Sequence, residues 1–239
     1  MLALDRIYNM DCLEGMKQIP DKSIDLIVTD PPYILENQGG GFWGNDKKYN
    51  SRGTRQGMAH LQDIKDGIST DMLDEMCRVM KKINIYLFCS QKQLPIFIDY
   101  FVRQKGCNWN LLTWHKTNPI PACGNKYLND TEYILFFREK GVPLFGTFET
   151  KRTFFVQLRN MEEDKWHHPT IKPLNIVETL VINSSTSGGV ILDPFMGSAT
   201  TAIACIREKR HYIGFELNEE YYKNALKRIE AETIQGTLF

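Results

Sequence analysis

Asp30-Pro31-Pro32-Tyr33 sets an acid, two rigid residues and an aromatic ring in succession. The preceding run, Ile24-Asp25-Leu26-Ile27-Val28-Thr29, is apolar and β-branched and reads as a buried strand. Two consecutive prolines neither continue a strand nor enter a helix interior, so the backbone beyond the strand is fixed in an extended turn. Strand ends are where open α/β sheets bind ligands. A turn at that place offers a carboxylate, a proline carbonyl and a ring face. The set suits a flat base bearing an amino group: the carboxylate accepts one N–H, a proline carbonyl accepts the other, and the ring stacks on the base. The same residues also suit an ordinary strand-to-loop turn with a helix-capping aspartate.

A second stretch lies far along the chain. Asp193-Pro194-Phe195-Met196-Gly197-Ser198-Ala199-Thr200-Thr201 joins the strand Val190-Ile191-Leu192 to a helix. Gly197, Ser198 and Ala199 let the backbone approach a ligand, and the helix N-terminus offers N–H groups and a positive dipole end to an anion. Glu216 ends the next strand, where an acid binds the two hydroxyls of a ribose in dinucleotide folds. A nucleoside-containing cofactor with a carboxylate fits both features. A tight strand–helix junction packed with small residues is the plainer alternative.

Positioning these residues requires a sheet. Strands are expected at Ile7–Asn9, 24–29, Asn84–Cys89, Leu111–His115, Glu132–Phe137, Val190–Leu192 and His211–Phe215. A short helix carries Leu13 and Met16. Another starts near Thr70, with Met72, Met76, Val79 and Met80 at helical spacing. Further helices are expected at Gln93–Lys105 (Ile96, Tyr100 and Phe101 inward), Leu174–Asn183, Ser198–Arg207 and 219–232 (Tyr222, Ala225, Leu226 and Ile229 inward). This alternation implies one domain over residues 1–239, with a seven-stranded, largely parallel α/β sheet covered on both faces. Asp11, Asp30, Asp193 and Glu216 each follow an expected strand, so the chemistry collects at the strands' C-terminal ends.

Taken together, Asp-Pro-Pro-Tyr at 30–33 and Asp-Pro-Phe-x-Gly-Ser-x-Thr-Thr at 193–201 resemble the β class of S-adenosylmethionine-dependent amino-methyltransferases of DNA. His168-Pro169-Thr170-Ile171-Lys172-Pro173 is similar to that class's cofactor-associated motif, and Asn9-Met10-Asp11-Cys12-Leu13 to its early acidic motif. The likeness spans about residues 6–230. It implies a circularly permuted, Rossmann-like methyltransferase fold with the catalytic half first, and S-adenosylmethionine as cofactor. By the resemblance, Phe195, Gly197 and Ser198 line the cofactor's methionine end. Asp193 lies near its amino group and Thr200 or Thr201 near its carboxylate. Glu216 takes the ribose, Asp11 with Cys12 takes the adenine, and His168, Thr170 and Lys172 close over the cofactor. Asp30 borders both sites. Read without the resemblance, Lys172 is a solvated charge before a helix begun by Pro173. Ala199 stands where the class more often has glycine, with little effect expected on cofactor affinity.

The implied reaction moves a methyl group from a sulfonium centre to an exocyclic amine. The amine's lone pair is delocalised into the base ring and must be localised and aimed. Asp30 and the Pro31 carbonyl do this by accepting the two amino hydrogens. The base must leave the duplex, and Tyr33 stacks on it once flipped. Aspartate at the first motif position favours adenine N6. An N4-cytosine enzyme on the same scaffold is the nearest alternative, and a non-catalytic DNA-binding or clamp-recruited module is the alternative from another class. No cysteine adjoins the turn, which argues against C5-cytosine chemistry.

Twenty-nine basic residues balance 29 acidic ones, so DNA contact must be local. Residues 34–66 hold Lys47, Lys48, Arg52 and Arg55 among Phe42, Trp43 and Tyr49, as expected of a mobile DNA- and base-contacting loop or of a solvated one. Residues 140–166, expected to be irregular, occupy the class's target-recognition position and offer Lys151, Arg152 and Arg159. The segment is short, which implies a short or degenerate target site. Six cysteines without C-x-x-C spacing read as buried thiols, and five histidines lack metal spacing, so no metal is expected. No apolar run matches a membrane span and the N-terminus lacks a signal-peptide layout, so a cytoplasmic protein is expected. The tail 233–239 ends in Gln235-Gly236-Thr237-Leu238-Phe239, which resembles the peptide that binds bacterial sliding clamps and also suits a frayed terminus. Relatives of the resembled class often form homodimers.

Overall fold

The computed structural model describes residues 2–33, 67–121, 125, 127–159, 166 and 170–236. In chain order the elements are β1 (Arg6–Tyr8), α1 (Cys12–Met16), β2 (Leu26–Thr29), α2 (Thr70–Val79) and β3 (Asn84–Cys89). Next come α3 (Leu94–Ile98), continued by a π-helical turn over Asp99–Gln104, then β4 (Asn108–Lys116), β5 (Thr131–Arg138) and β6 (Phe154–Gln157). The chain continues with α4 (Leu174–Ser184), β7 (Val190–Asp193), α5 (Thr200–Arg207), β8 (His211–Phe215) and α6 (Glu219–Gly236).

The strands form one sheet in the order β1-β8-β7-β2-β3-β5-β4-β6. Every neighbouring pair is parallel except the two made by β5. Strands β2 and β3 are buried at every residue, as expected of parallel strands covered on both faces. Alternate residues feed two cores. Leu26, Val28, Tyr86, Phe88, Ile134 and Phe136 pack beneath α4 and α5. Ile27, Ile85, Leu87, Leu135 and Phe137 pack beneath α1, α2 and α3. Because β5 runs against its neighbours, its first residues lie level with the last residues of β3: Tyr133 pairs with Cys89.

Among the described residues the sheet has eight strands where seven are expected. The added strand, β6, lies inside the segment expected to be irregular and pairs with β4 from Thr113 to Lys116. It is an edge strand whose Phe154 and Val156 are 49% and 62% exposed, so it lacks a buried apolar face to announce it. The helix expected at Gln93–Lys105 changes pitch at Asp99. Phe97 rather than Ile96 turns inward, and the wider turn buries the adjacent Tyr100 and Phe101 together. The Phe101 ring stacks on Phe137 at 4.6 Å. In α6, Leu226 is exposed and Arg228 is buried. That helix runs to Gly236, so the start of the expected tail 233–239, Gln235 included, is helical. Among the described residues no helix is long and apolar enough to cross a membrane.

Candidate active site

The Asp30–Tyr33 turn leaves the end of β2 and is tied to the end of β3. Gln93 Nε2 donates to the Pro32 carbonyl at 2.9 Å, while Gln93 Oε1 accepts from the Ser90 amide and hydroxyl, both at 3.0 Å. Gln93 is buried, so this amide fixes the turn from below. Lys172 Nζ donates to Asp30 Oδ2 at 2.5 Å. Asp30 Oδ1 and Tyr33 Oη are buried and make no hydrogen bond among the described residues. Orphaned buried polar atoms are costly and point to a ligand or solvent that satisfies them.

Lys172 is 8% exposed. Its ammonium also lies 3.4 Å from Glu132 Oε2, and Glu132 Oε1 pairs with Lys116 Nζ at 2.8 Å. The Tyr33 and Phe88 ring centroids stand 5.5 and 5.3 Å from the same ammonium. Reversal of β5 creates this quartet, since Glu132, the second residue of β5, pairs with Trp114 near the end of β4, whose closing residue is Lys116. Burial pushes the Asp30 pKa up more than Lys172 pulls it down. Burial opposes the charge on Lys172, yet Asp30 and Glu132 raise its pKa above the ordinary lysine value. Burial also works to raise Glu132, but Lys172 and Lys116 hold it below the ordinary glutamate value.

The second loop is built on the neighbouring strands. Asp193, buried at the end of β7, accepts from Thr29 Oγ1 at 2.6 Å, the Phe195 amide at 3.1 Å and Thr201 Oγ1 at 2.7 Å. Burial raises its pKa to about 6 despite those donors. The loop then turns through two left-handed residues, Gly197 (φ 51°) and Ala199 (φ 64°), the latter capping α5. Met196 lies on β8 because residue 214 is glycine; a Cβ there would sit 2.1 Å from Met196 Cε. Glu216 joins two loops, accepting from the Gly197 amide at 2.9 Å and the Asn218 amide at 2.8 Å. Under the loop, Arg228 Nη1 donates to the Ser198 carbonyl at 2.7 Å, to Thr200 Oγ1 at 3.0 Å and to Ser198 Oγ at 3.2 Å. Beyond β8, Asp11 Oδ1 caps α1 by accepting from the amides of Leu13 and Glu14. Burial, with Asp11 beside it, pushes the Cys12 thiol up to about 12.

Asp30, Pro31, Pro32, Tyr33, Lys172, Asp193, Phe195, Gly197, Ser198, Thr200, Thr201, Glu216, Asp11 and Cys12 therefore line one edge of the sheet, at the ends of β2, β7, β8 and β1 or above them. Thr170, two residues before Lys172, is exposed. Arg159 follows β6 at this edge, with its amide on Asn118 Oδ1 at 2.6 Å. Lys151 and Arg152 are not brought to the site. The Thr150 carbonyl beside them accepts from Asn183 at the far end of α4, toward the opposite edge. His168, Lys47, Lys48, Arg52, Arg55 and the end of the clamp-like tail lie outside the described residues. Sequence reasoning missed Gln93, Lys116, Glu132 and Arg228. A signal existed for two of them. Glu132 shares strand parity with buried Ile134 and Phe136, and Lys116 with buried Leu112 and Trp114, so both point inward.

An open, mostly parallel sheet carrying these two loops side by side, with Asp30–Tyr33 first in the chain, is a circularly permuted, Rossmann-like methyltransferase domain. The chain belongs to the N6/N4 DNA methylase family, whose model matches residues 24–227. It is 28% identical to the type II methyltransferase M2.LlaDCHI of Lactococcus lactis subsp. cremoris, over 96% of this chain and 91% of that one. Two solved structures share the fold. M1.HpyAVI in its S-adenosylmethionine complex superposes with a TM-score of 0.67 at 23% identity, covering 93% of this chain and 98% of that one. The cytosine-N4-specific PvuII DNA methyltransferase gives a TM-score of 0.70 at 16% identity, covering 93% and 85%.

Proposed function

We propose that this DNA methylase transfers a methyl group from S-adenosylmethionine to the exocyclic N6 of an adenine flipped out of double-stranded DNA. The observation that carries the reading is the orphaned Asp30 Oδ1, buried beside the Tyr33 hydroxyl on a turn braced by Gln93. One N–H of the target amine satisfies that oxygen and the Pro31 carbonyl accepts the other. The lone pair is thereby freed from the ring and aimed, and Asp30 offsets the positive charge that grows on nitrogen. Tyr33 supplies the stacking face.

The second loop fits the cofactor by the chemistry of its donors. When bound, S-adenosylmethionine supplies an activated methyl on a sulfonium centre. Glu216 spends one backbone bond on each oxygen, and each oxygen keeps a lone pair for a ribose hydroxyl. Arg228 occupies acceptor sites on Ser198 and Thr200, whose hydroxyls also bond each other at 3.2 Å, which leaves one hydroxyl hydrogen and positive charge for a carboxylate at the start of α5. Asp193 and Thr201 brace the loop through each other, and Phe195 covers the methionine end. Asp11 keeps Oδ2 for the adenine amine of the cofactor, beside Cys12. By the resemblance, Thr170 and Lys172 close over it, joined in the sequence motif by His168.

Arg159 is the described basic residue best placed for a DNA phosphate, supplemented by Lys47, Lys48, Arg52 and Arg55 in 34–66. We also keep a sliding clamp as partner of Gln235–Phe239, tested by pull-down of the full chain against one ending at Ile234. Homodimerisation is tested by sedimentation, and the cytoplasm is the compartment where such DNA is met. The decisive experiment is nucleoside analysis of duplex DNA incubated with the chain and cofactor. N6-methyladenine is expected. Asp30→Ala should reduce it by about 100-fold or more, as for loss of a group that stabilises transition-state charge. N4-methylcytosine as the product would replace the adenine reading with the cytosine one, and no methylated base at all would remove both.

A further inference from the structure

Lys172 carries one buried positive charge between two carboxylates, 2.5 Å from Asp30 and 3.4 Å from Glu132. While it holds Asp30 Oδ2, that carboxylate is divided between an ammonium and the incoming amine. Removing the ammonium from Asp30 with nothing to receive it would strand a buried cation, which is severely unfavourable. Glu132 Oε2 makes no hydrogen bond among the described residues and already lies within ion-pair distance of Lys172. Lys116 holds the other oxygen at 2.8 Å and keeps the carboxylate in place. Lys172 can therefore pass from Asp30 to Glu132 by a small side-chain rotation, with the four charges still balanced.

We infer that Glu132 is a positioning residue for methyl transfer, the alternative partner that receives Lys172 when Asp30 engages the target amine. The inference rests on the methyl-transfer reading above. It also has an electrostatic consequence for the reaction. The nitrogen gains positive charge as it accepts the methyl, and a cation held on Asp30 would oppose that charge. With Lys172 on Glu132, Asp30 faces the amine alone. No covalent bond of Glu132, Lys116 or Lys172 forms or breaks.

The test compares the full-length chain with Glu132→Gln and Glu132→Asp on an unmethylated duplex. Glu132→Gln should lower kcat on the order of 10- to 100-fold, as for a small misplacement of a reacting group. KM for DNA and the affinity for S-adenosylmethionine should stay unchanged, and Glu132→Asp should recover part of kcat. The groups facing Asp30 are Lys172, Glu132 and Tyr33, with Cys89 at the end of β3 and Asp193 at the end of β7; Lys116 lies beyond Glu132. The negative charge of Glu132 raises the Asp30 pKa, so the acid limb of kcat should move to lower pH in Glu132→Gln. A second readout needs no cofactor. Asp30→Asn and Glu132→Gln each leave Lys172 one carboxylate, whereas the double variant leaves none. The double variant's melting temperature should therefore fall by more than the sum of the single losses. A Glu132→Gln variant with unaltered kcat and acid limb, or strictly additive melting losses, overturns the inference while methyl transfer by the unsubstituted chain stands. No methyl transfer by the unsubstituted chain overturns the functional reading and the inference with it.

Discussion

Asp193 accepts three hydrogen bonds and is still hard to ionise, because burial outweighs its donors and lifts its pKa to about 6. The unfolded value is about 4, so between the two pH values the folded chain binds more protons than the unfolded one. This group's contribution to stability is therefore greatest at low pH and is lost as pH rises through about 6. Asp193→Asn keeps the shape and removes the titration. Relative to the unsubstituted chain, it should be more favourable at pH 7 than at pH 4 by on the order of 2 kcal/mol. Denaturant unfolding of both proteins at the two pH values checks this, and an unchanged difference counts against it. Asp30 also has a raised pKa, with burial as the main cause, so the acid limb of methyl transfer should lie above the range of an exposed aspartate. At this scale the sequence is readable where residues adjoin, as in Asp30–Tyr33 and 193–201. It is not readable where partners meet across the sheet. Nothing local to Gln93 announces that its amide supports Pro32, 61 positions away. Arg228 in a charged helix looks solvated, although it lies buried under Ser198.

Parallel strands were legible because they are continuous β-branched and aromatic runs, and α2 and α4 because their apolar residues recur at helical spacing. Strand β6 was not, since its residues stay largely exposed and only pairing with β4 makes it a strand. The inward faces of α3 and α6 were partly misjudged for separate reasons. A π turn changes the period at Asp99, and an arginine takes an inward position in α6. The left-handed Ala199 at the head of α5 gives an element-level prediction. Glycine removes a strain of about 1 kcal/mol there, offset by a lost buried methyl and a freer unfolded chain of similar size. Ala199→Gly should thus alter stability by less than about 1 kcal/mol, with little change in S-adenosylmethionine affinity. Ala199→Val should be destabilising by more than about 2 kcal/mol, because a β-branched residue resists positive φ in a buried site. Thermal melts with calorimetric titration distinguish these outcomes.

Across the whole molecule, the sheet sorts the charges that sequence counting leaves balanced. Arg159 lies at the edge that carries Asp30, and Lys151 and Arg152 lie toward the other. Arg159→Ala should reduce the slope of log affinity for DNA against log salt by about 1, the signature of one lost phosphate contact. Lys151→Ala and Arg152→Ala should leave the slope as it is. Equal effects from all three would show that DNA crosses the opposite edge as well. The pairing of β2 with β7 also bears on how the protein is made. Thr29 and Asp193 are hydrogen-bonded partners 164 positions apart. At ribosomal rates of about 5–20 residues per second, β2 waits on the order of ten seconds or longer for its neighbour. Throughout that time the nascent chain carries an unpaired apolar strand edge next to the Asp30–Tyr33 turn. Chains halted before Val190 should therefore be captured by chaperones or aggregate, and the enzyme should become protease-resistant only after β7 and β8 have left the ribosome.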